Sequence, residues 1–394
     1  RMAVTFIHTA DWQLGKPFSR IDNLEKRAIL KNYRFESLKK IGELAEQHKA
    51  SFIVAAGDLF DSPQPTREEV SHACDILGAL RLPVFAIPGN HDFGGPGGPY
   101  GHEFFIRERE KRAPNLKVLL TAEPFEADGF VLLPCPLLSR HESADPTEWL
   151  RVPGILDRFA AKVRIVLAHG SISNFGLDAT DDDEVGGPAS PNFLNLELLD
   201  KSAFDYIALG DWHGTRRAES HPCAWYSGTH EPDRFPKGDD YKAGQVLLVH
   251  AKRDASPVVQ PLSTGRCRWH ILEHAIADSD PVAGLLGALK AATGGHPADS
   301  TVVKLSITGS LSLTSAKRIG EEIESQKAAL AHLRLKDNTT TAPTDAEIER
   351  LGNAAANPLV AEVATRLRQM AAADGAEAAK ARLALRELFN LAHQ

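Results

Sequence analysis

Five short polar clusters recur along the chain, and each follows an apolar run short enough to be a β-strand. They are Asp11-Trp12-Gln13, Gly57-Asp58-Leu59-Phe60-Asp61, Gly89-Asn90-His91-Asp92, His169-Gly170 and Gly210-Asp211-Trp212-His213. In open α/β sheets the loops beyond the carboxyl ends of strands converge on one crevice. Clusters in that position can share a single site, provided the strands before them lie side by side. An all-helical or fibrous chain cannot meet that condition.

The local signals agree with an α/β fold. Val4 to His8 and Ser51 to Ala56 read as strands, separated by a helix over Leu24 to His48. Thr66, with Glu69 three residues on, predicts a capping box for a helix ending near Leu80. Val84 to Ile87, Val131 to Leu133, Val163 to Ala168, Tyr206 to Leu209 and Gln245 to His250 are further strands, spaced widely enough to predict two sheets. After Thr264 the texture changes. Arg268 to Leu272 and Val302 to Ile307 alternate like strands around a helical stretch, Pro281 to Ala292, which predicts a small α+β cap.

Beyond Ser315 the pattern is helical, with Ile319, Ile323, Leu330 and Leu333 read on one face. Asn357-Pro358 is an N-cap and first-turn pair, and Leu385, Leu388, Phe389 and Ala392 stripe the final helix. Leu335 to Asp345 is the expected linker. The predicted organisation is therefore 1–263 as the main domain, 264–314 as the cap and 315–394 as a C-terminal helical segment.

Composition narrows the function. With 45 Lys+Arg against 52 Asp+Glu, the net charge of -7 excludes a histone-like nucleic-acid partner but not a local basic groove. Cys74, Cys135, Cys223 and Cys267 form no C-x-x-C pair, so no zinc knuckle or disulfide framework is predicted and a reducing cytoplasm is expected. No apolar run approaches the roughly 20 residues of a bilayer span, and no leader-like amino terminus is visible, so no membrane association is expected. The acidic run Asp181 to Glu184 lacks the spacing of a calcium loop and reads as a solvated loop. Gly94 to Gly101 has no lysine at Walker spacing; its expected job is to shape the rim near His91.

Carboxylate, amide and imidazole groups arriving on separate loops are the inventory for a pair of divalent metals, with one carboxylate able to bridge them. The segments HTADWQLGK, AAGDLFDS, IPGNHD, VLAHGS and ALGDWHG, in this order, resemble the calcineurin-like metallophosphoesterase signature. Within that superfamily they most resemble the SbcD-type DNA repair exonuclease subunit. The resemblance covers roughly the first 250 residues and extends more weakly over the cap.

The resemblance implies a two-sheet sandwich flanked by helices and two metal positions. Asp11, Gln13, Asp58 and His213 would surround one, and Asp58, Asn90, His169 and Asp211 the other. His91 would be the general acid and Asp61 its orienting partner, with Asp92 a support for the turn. Two cations about 3.5 to 4 Å apart lower the pKa of a shared water and screen charge during in-line attack.

Two positions depart from the family pattern: Gln13 and Asp211 each stand where histidine is usual. A glutamine carbonyl is a weaker ligand than imidazole, and an added carboxylate weakens the attraction for phosphate. Arg216 and Arg217, just past the last motif, are candidates to compensate by contacting phosphate. Lys16, Arg20 and Arg234 are further candidates. Only His169 and His213 offer nitrogen, so manganese is the expected metal, with magnesium second.

The implied function is a manganese-dependent phosphodiesterase cutting DNA in a repair complex. Resemblance adds an SMC-type ATPase as partner, docked through the C-terminal helices, and a homodimer. Two alternatives stand beside it: a phosphoesterase for small esters, and a DNA-binding scaffold that has lost one metal.

Overall fold

The computed structural model describes residues 2–392, apart from 173–190, 237, 239, 278–279, 342–343, 345, 348, 350–356 and 374. The acidic run 181–184 lies outside the described residues. The chain divides into two compact units, Arg1–Cys267 and Arg268–Gln394.

In the first unit, β1 (Ala3–Thr9), β2 (Phe52–Ala56), β3 (Val84–Ile87) and β4 (Leu116–Val118) run parallel, and β11 (Gln245–Lys252) and β12 (Val258–Ser263) add antiparallel neighbours at one edge. The order is β12-β11-β1-β2-β3-β4. The second sheet is built from β5 (Phe125–Glu126), β6 (Phe130–Cys135), β7 (Val163–His169), β8 (Tyr206–Gly210), β9 (Arg216–Arg217) and β10 (Ala224–Tyr226), in the order β5-β6-β7-β8-β10-β9.

The inner strands β2, β3, β7 and β8 are buried at every residue. Their sequences are continuous apolar runs because both faces of each sheet are covered. Between the sheets, Phe6, Phe52 and Phe130 stack at centroid distances of 5.0 and 4.2 Å, joined by Ile165, Leu167 and Leu247. On the outer face of the first sheet pack α1 (Leu24–Gln47), α2 (Arg67–Ala79) and α3 (Glu103–Arg112). Asn23 caps α1 by accepting the Lys26 N–H, and the Thr66–Glu69 capping box starts α2 with both reciprocal bonds present. The architecture is the mixed α/β sandwich flanked by helices that the sequence predicts. Its consequence is placement: the carboxyl ends of β1, β2, β3, β7 and β8 carry the five polar clusters.

The second unit is three parallel strands, β13 (Arg268–Ala275), β14 (Thr301–Leu311) and β15 (His332–Thr341), linked by the crossover helices α4 (Pro281–Thr293) and α5 (Leu313–Ala329). Here the structure corrects two expectations. The stretch read as a linker is strand as far as Thr341, in register with β14 from Val302↔His332 to Leu311↔Thr341. Its Thr run looks like loop by polarity, but β-branched residues suit a half-solvated strand. Leu330 and Leu333 therefore do not continue the Ile319–Ile323 helix face; α5 ends at Ala329, and all four side chains meet in one core. No unit boundary falls at 314/315. Two further helices, α6 (Pro358–Ala371) and α7 (Ala376–Ala392), pack Ala364 and Leu385 on Leu313. The side chains of Phe389 and Ala392 lie outside the described ones.

No helix among the described residues is long and apolar enough to cross a membrane. All four cysteines are buried and free.

Candidate metal centre

The loops after β1 and β2 are zipped together by their backbones. The N–H groups of Asp11, Gln13 and Leu14 donate to the carbonyls of Gly57, Asp58 and Leu59 at 3.1, 2.8 and 2.9 Å, and Asp61 N–H returns to Leu14 at 3.0 Å. Asp11, Gln13, Asp58 and Asp211 all adopt positive φ, between 39° and 101°. Non-glycine residues take that conformation at a cost of about 1 to 3 kcal/mol each, and such strain clusters at functional sites. The glycines of the motifs have a steric reason. A Cβ on Gly57 would lie 2.2 Å from the His169 ring nitrogen, and one on Gly89 would lie 2.1 Å from Asp58 Oδ1.

This packing gathers Asp11, Asp58 and His169, whose ligand atoms all lie within 4.8 Å of one another and are fully buried. His169 Nδ1–H donates to the Ala56 carbonyl at 2.8 Å, which aims Nε2 at the cluster. Nε2 lies 3.0 Å from Asn90 Oδ1, 3.6 Å from Asp58 Oδ1 and 3.9 Å from Asp211 Oδ1. The backbone N–H of Asp211 spans both Asp11 carboxylate oxygens at 3.0 and 3.2 Å. Four oxygen-bearing side chains and one imidazole therefore converge, a donor set that fits one hard divalent cation.

His91 sits half-buried at the edge of this cluster. Its backbone N–H donates to Asp58 Oδ1 at 3.0 Å and its Nδ1–H to the main-chain carbonyl of Asp61 at 2.8 Å. The orienting contact from Asp61 is thus its carbonyl and not the carboxylate expected from sequence; that carboxylate faces Lys16 Nζ at 3.6 Å. Burial disfavours charge on His91, but Asp58, the Asp61 carbonyl and the Asp61 carboxylate outweigh it and raise its pKa. Asp92 is buried and holds the turn, accepting from Gly89 N–H at 2.8 Å, Phe60 N–H at 3.1 Å and the Tyr100 hydroxyl.

Gln13 and His213 are buried beside the cluster but are bound to other groups. Gln13 Oε1 accepts from Lys16 Nζ at 2.8 Å, and its Nε2 donates to Asp58 Oδ2 at 3.3 Å. His213 Nδ1–H donates to Asp233 at 3.0 Å, and its Nε2 lies 3.4 Å from the Arg234 guanidinium. Burial, then Arg234, pushes the His213 pKa down to about 4, so the ring is neutral. Asp233 has no exposed side-chain surface and holds Lys16 at 3.1 Å and Arg234 at 3.3 Å. Burial would raise its pKa, yet His213, Arg234 and Lys16 hold it well below the carboxylate range. Sequence reasoning missed Asp233. Two of the donors expected around a first metal, Gln13 and His213, therefore have cationic side chains as neighbours.

Arg216 and Arg217 are also placed differently from expectation. Both are exposed on β9; Arg216 reaches Glu219 at 3.7 Å, and Arg217 is pinned to the Pro222 carbonyl at 2.8 Å. The basic groups brought to the centre are Lys16 and Arg234.

The buried titratable groups couple cation binding to pH. Burial raises Asp11 to about 7, with His169 pulling against it and Asp58 and Asp211 adding to it. Burial opposes charge on His169, but Asp58, Asp11 and Asp211 overcome it and lift the pKa to about 9. A bound dication must displace both protons. Affinity for manganese is therefore expected to rise with pH, about tenfold per unit for one proton between 7 and 9 and more steeply below 7. Calorimetric titrations at several pH values check this; an affinity flat across that window would contradict the assignment.

Known proteins share parts of this chain. TT1561 of Thermus thermophilus is similar at 12% identity over 66% of this chain and 99% of its own, with a TM-score of 0.41. A dimetal phosphatase from Danio rerio is similar at 13% identity over 66% of this chain and 99% of its own, with a TM-score of 0.33. The model of the calcineurin-like phosphoesterase family matches residues 4–241, which span β1 to the Tyr241 loop and hold every candidate ligand. The chain belongs to the calcineurin-like phosphoesterase family.

Proposed function

We propose that this protein is a metal-dependent phosphodiesterase whose substrate is DNA, with manganese as the working ion. Family membership carries metal-dependent phosphoester hydrolysis. The observation that supports hydrolysis of an ester with a sugar leaving group is His91, fixed at the rim of the Asp11–Asp58–His169 cluster with Nδ1 engaged and Nε2 left for proton transfer. A sugar alkoxide is a poor leaving group and needs such a proton donor.

Asp11, Asp58, Asn90, His169 and Asp211 would hold the cation, which when bound polarises a phosphoryl oxygen and acidifies water. The Asp61 carbonyl holds the His91 ring, and Asp58 favours its charged form until the proton passes to the leaving oxygen. Lys16 and Arg234 lie beside the cluster as anchors for phosphate oxygens. The DNA substrate, the SMC-type ATPase partner and homodimerisation rest on the motif resemblance to SbcD-type subunits.

The test is digestion of end-labelled single- and double-stranded DNA with added manganese, alongside a chromogenic bis-ester and a cyclic nucleotide. DNA cleavage that is lost on chelation and reduced about 10²- to 10⁴-fold in His91→Ala is expected. Turnover of small esters with intact DNA would move the substrate to the small-ester class.

A further inference from the structure

We propose that the centre binds a single divalent cation, and that the Lys16 ammonium and the Arg234 guanidinium stand where a dinuclear centre would hold its second. This rests on the phosphoesterase reading above and sharpens it to a mononuclear site with built-in organic cations.

The argument begins at Gln13. A glutamine has one acceptor and one donor end, and the neighbours decide which way it faces. Its carbonyl oxygen meets Lys16 Nζ at 2.8 Å and its amide nitrogen meets Asp58 Oδ2 at 3.3 Å. Turning the amide to offer oxygen beside Asp58 would set two acceptors face to face and bring the NH₂ group against an ammonium. Gln13 is thereby fixed in the orientation that cannot ligate. At His213 the acceptor nitrogen is available but already has a cationic side chain in front of it. Asp233 holds the proton on Nδ1, and the lone pair of Nε2 faces Arg234.

The cations themselves are anchored. Asp233 is fully buried and bonds both, at 3.1 and 3.3 Å, and Asp61 faces Lys16 from the other side at 3.6 Å. The two departures from the family motif acquire one explanation. Glutamine replaces histidine where a lysine needs an acceptor, and Asp211 brings a third carboxylate to the position that keeps its ion. A hard ion held mainly by oxygen is then assisted by an ammonium and a guanidinium, both suited to the non-bridging oxygens of a phosphodiester.

Metal counting on the full chain tests this without reference to turnover. Equilibrium dialysis against manganese, with elemental analysis, is expected to give one ion per chain. Electron paramagnetic resonance should show an uncoupled six-line signal that excess manganese does not convert into a spin-coupled one. Two ions per chain with a coupled spectrum would overturn the proposal and leave the phosphoesterase reading standing. No bound ion would overturn both. In a second arm, Arg234→Met should still hold one ion while KM for a chromogenic phosphodiester rises about tenfold, the loss falling more on KM than on kcat. An unchanged KM would remove the guanidinium from the role assigned to it.

Discussion

Asp58→Asn should leave a folded protein that no longer binds manganese in calorimetry and turns over a chromogenic phosphodiester at least about a thousandfold more slowly, about 4 kcal/mol of barrier. Asn is nearly isosteric with Asp and can keep one acceptor for the His91 N–H, so the loop should stay closed. What it loses is charge, and two functions hang on that charge. Burial would raise the Asp58 pKa, but His169 and His91 lower it, so the carboxylate is ionised where the cation belongs. The same charge is the largest influence favouring the protonated form of His91. Neutralising Asp58 therefore weakens both the ion and the proton donor. A variant that bound manganese with unaltered affinity would place the ion elsewhere.

Arg34→Met should lower stability by about 3 to 5 kcal/mol, read as a drop of about 10 °C in the thermal midpoint. Arg34 lies on α1 with no exposed surface, yet it contacts none of the cluster's ligand atoms. Its guanidinium donates to the carbonyls of Trp12 at 2.7 Å, Glu231 at 2.9 Å and Asp11 at 2.9 Å, and to Thr229 Oγ1 at 2.9 Å. Those acceptors belong to the loops after β1 and β10, which also meet at the Ala10↔Thr229 bridge. Methionine fills the volume but takes the donor from the buried Trp12 carbonyl and leaves those of Asp11 and Glu231 to share the Thr229 hydroxyl, so part of the desolvation penalty goes uncompensated. Arg34→Lys should rescue little, since one ammonium cannot span a planar fork. Urea denaturation measures both variants; a stability within about 0.5 kcal/mol of the parent would show the loops are held by something else.

Neither Arg34 nor Asp233 was read from the sequence, and the reasons differ. Arg34 shares a helical face with Leu30, Leu38 and Ile41, so its spacing did carry a signal of burial. Asp233 sits in an irregular stretch between Pro232 and Arg234, where no periodicity exists to read. The five polar clusters were legible because their chemistry and their position after strands coincide. The role of the Asp61 carbonyl was not, because every residue has one and only the folded turn selects it. Likewise β15 hid behind its polarity: a strand with one solvated face at the edge of a small sheet differs from a loop only by its β-branched content. The fates of Gln13 and His213 depended on Lys16 and Arg234, whose proximity is a property of the closed loops.

The contact between Asp11 and the Asp211 backbone spans 200 residues of chain. A centre whose two halves are made so far apart in synthesis has no local precursor. The emerging amino-terminal half, with Asp11, Asp58 and Asn90 already translated, lacks the His169 imidazole and the Asp211 carboxylate that complete the cage. Metal capture must await docking of the later sheet, which makes this assembly slow by its topology and guards the nascent polypeptide against trapping an ion before it can fold.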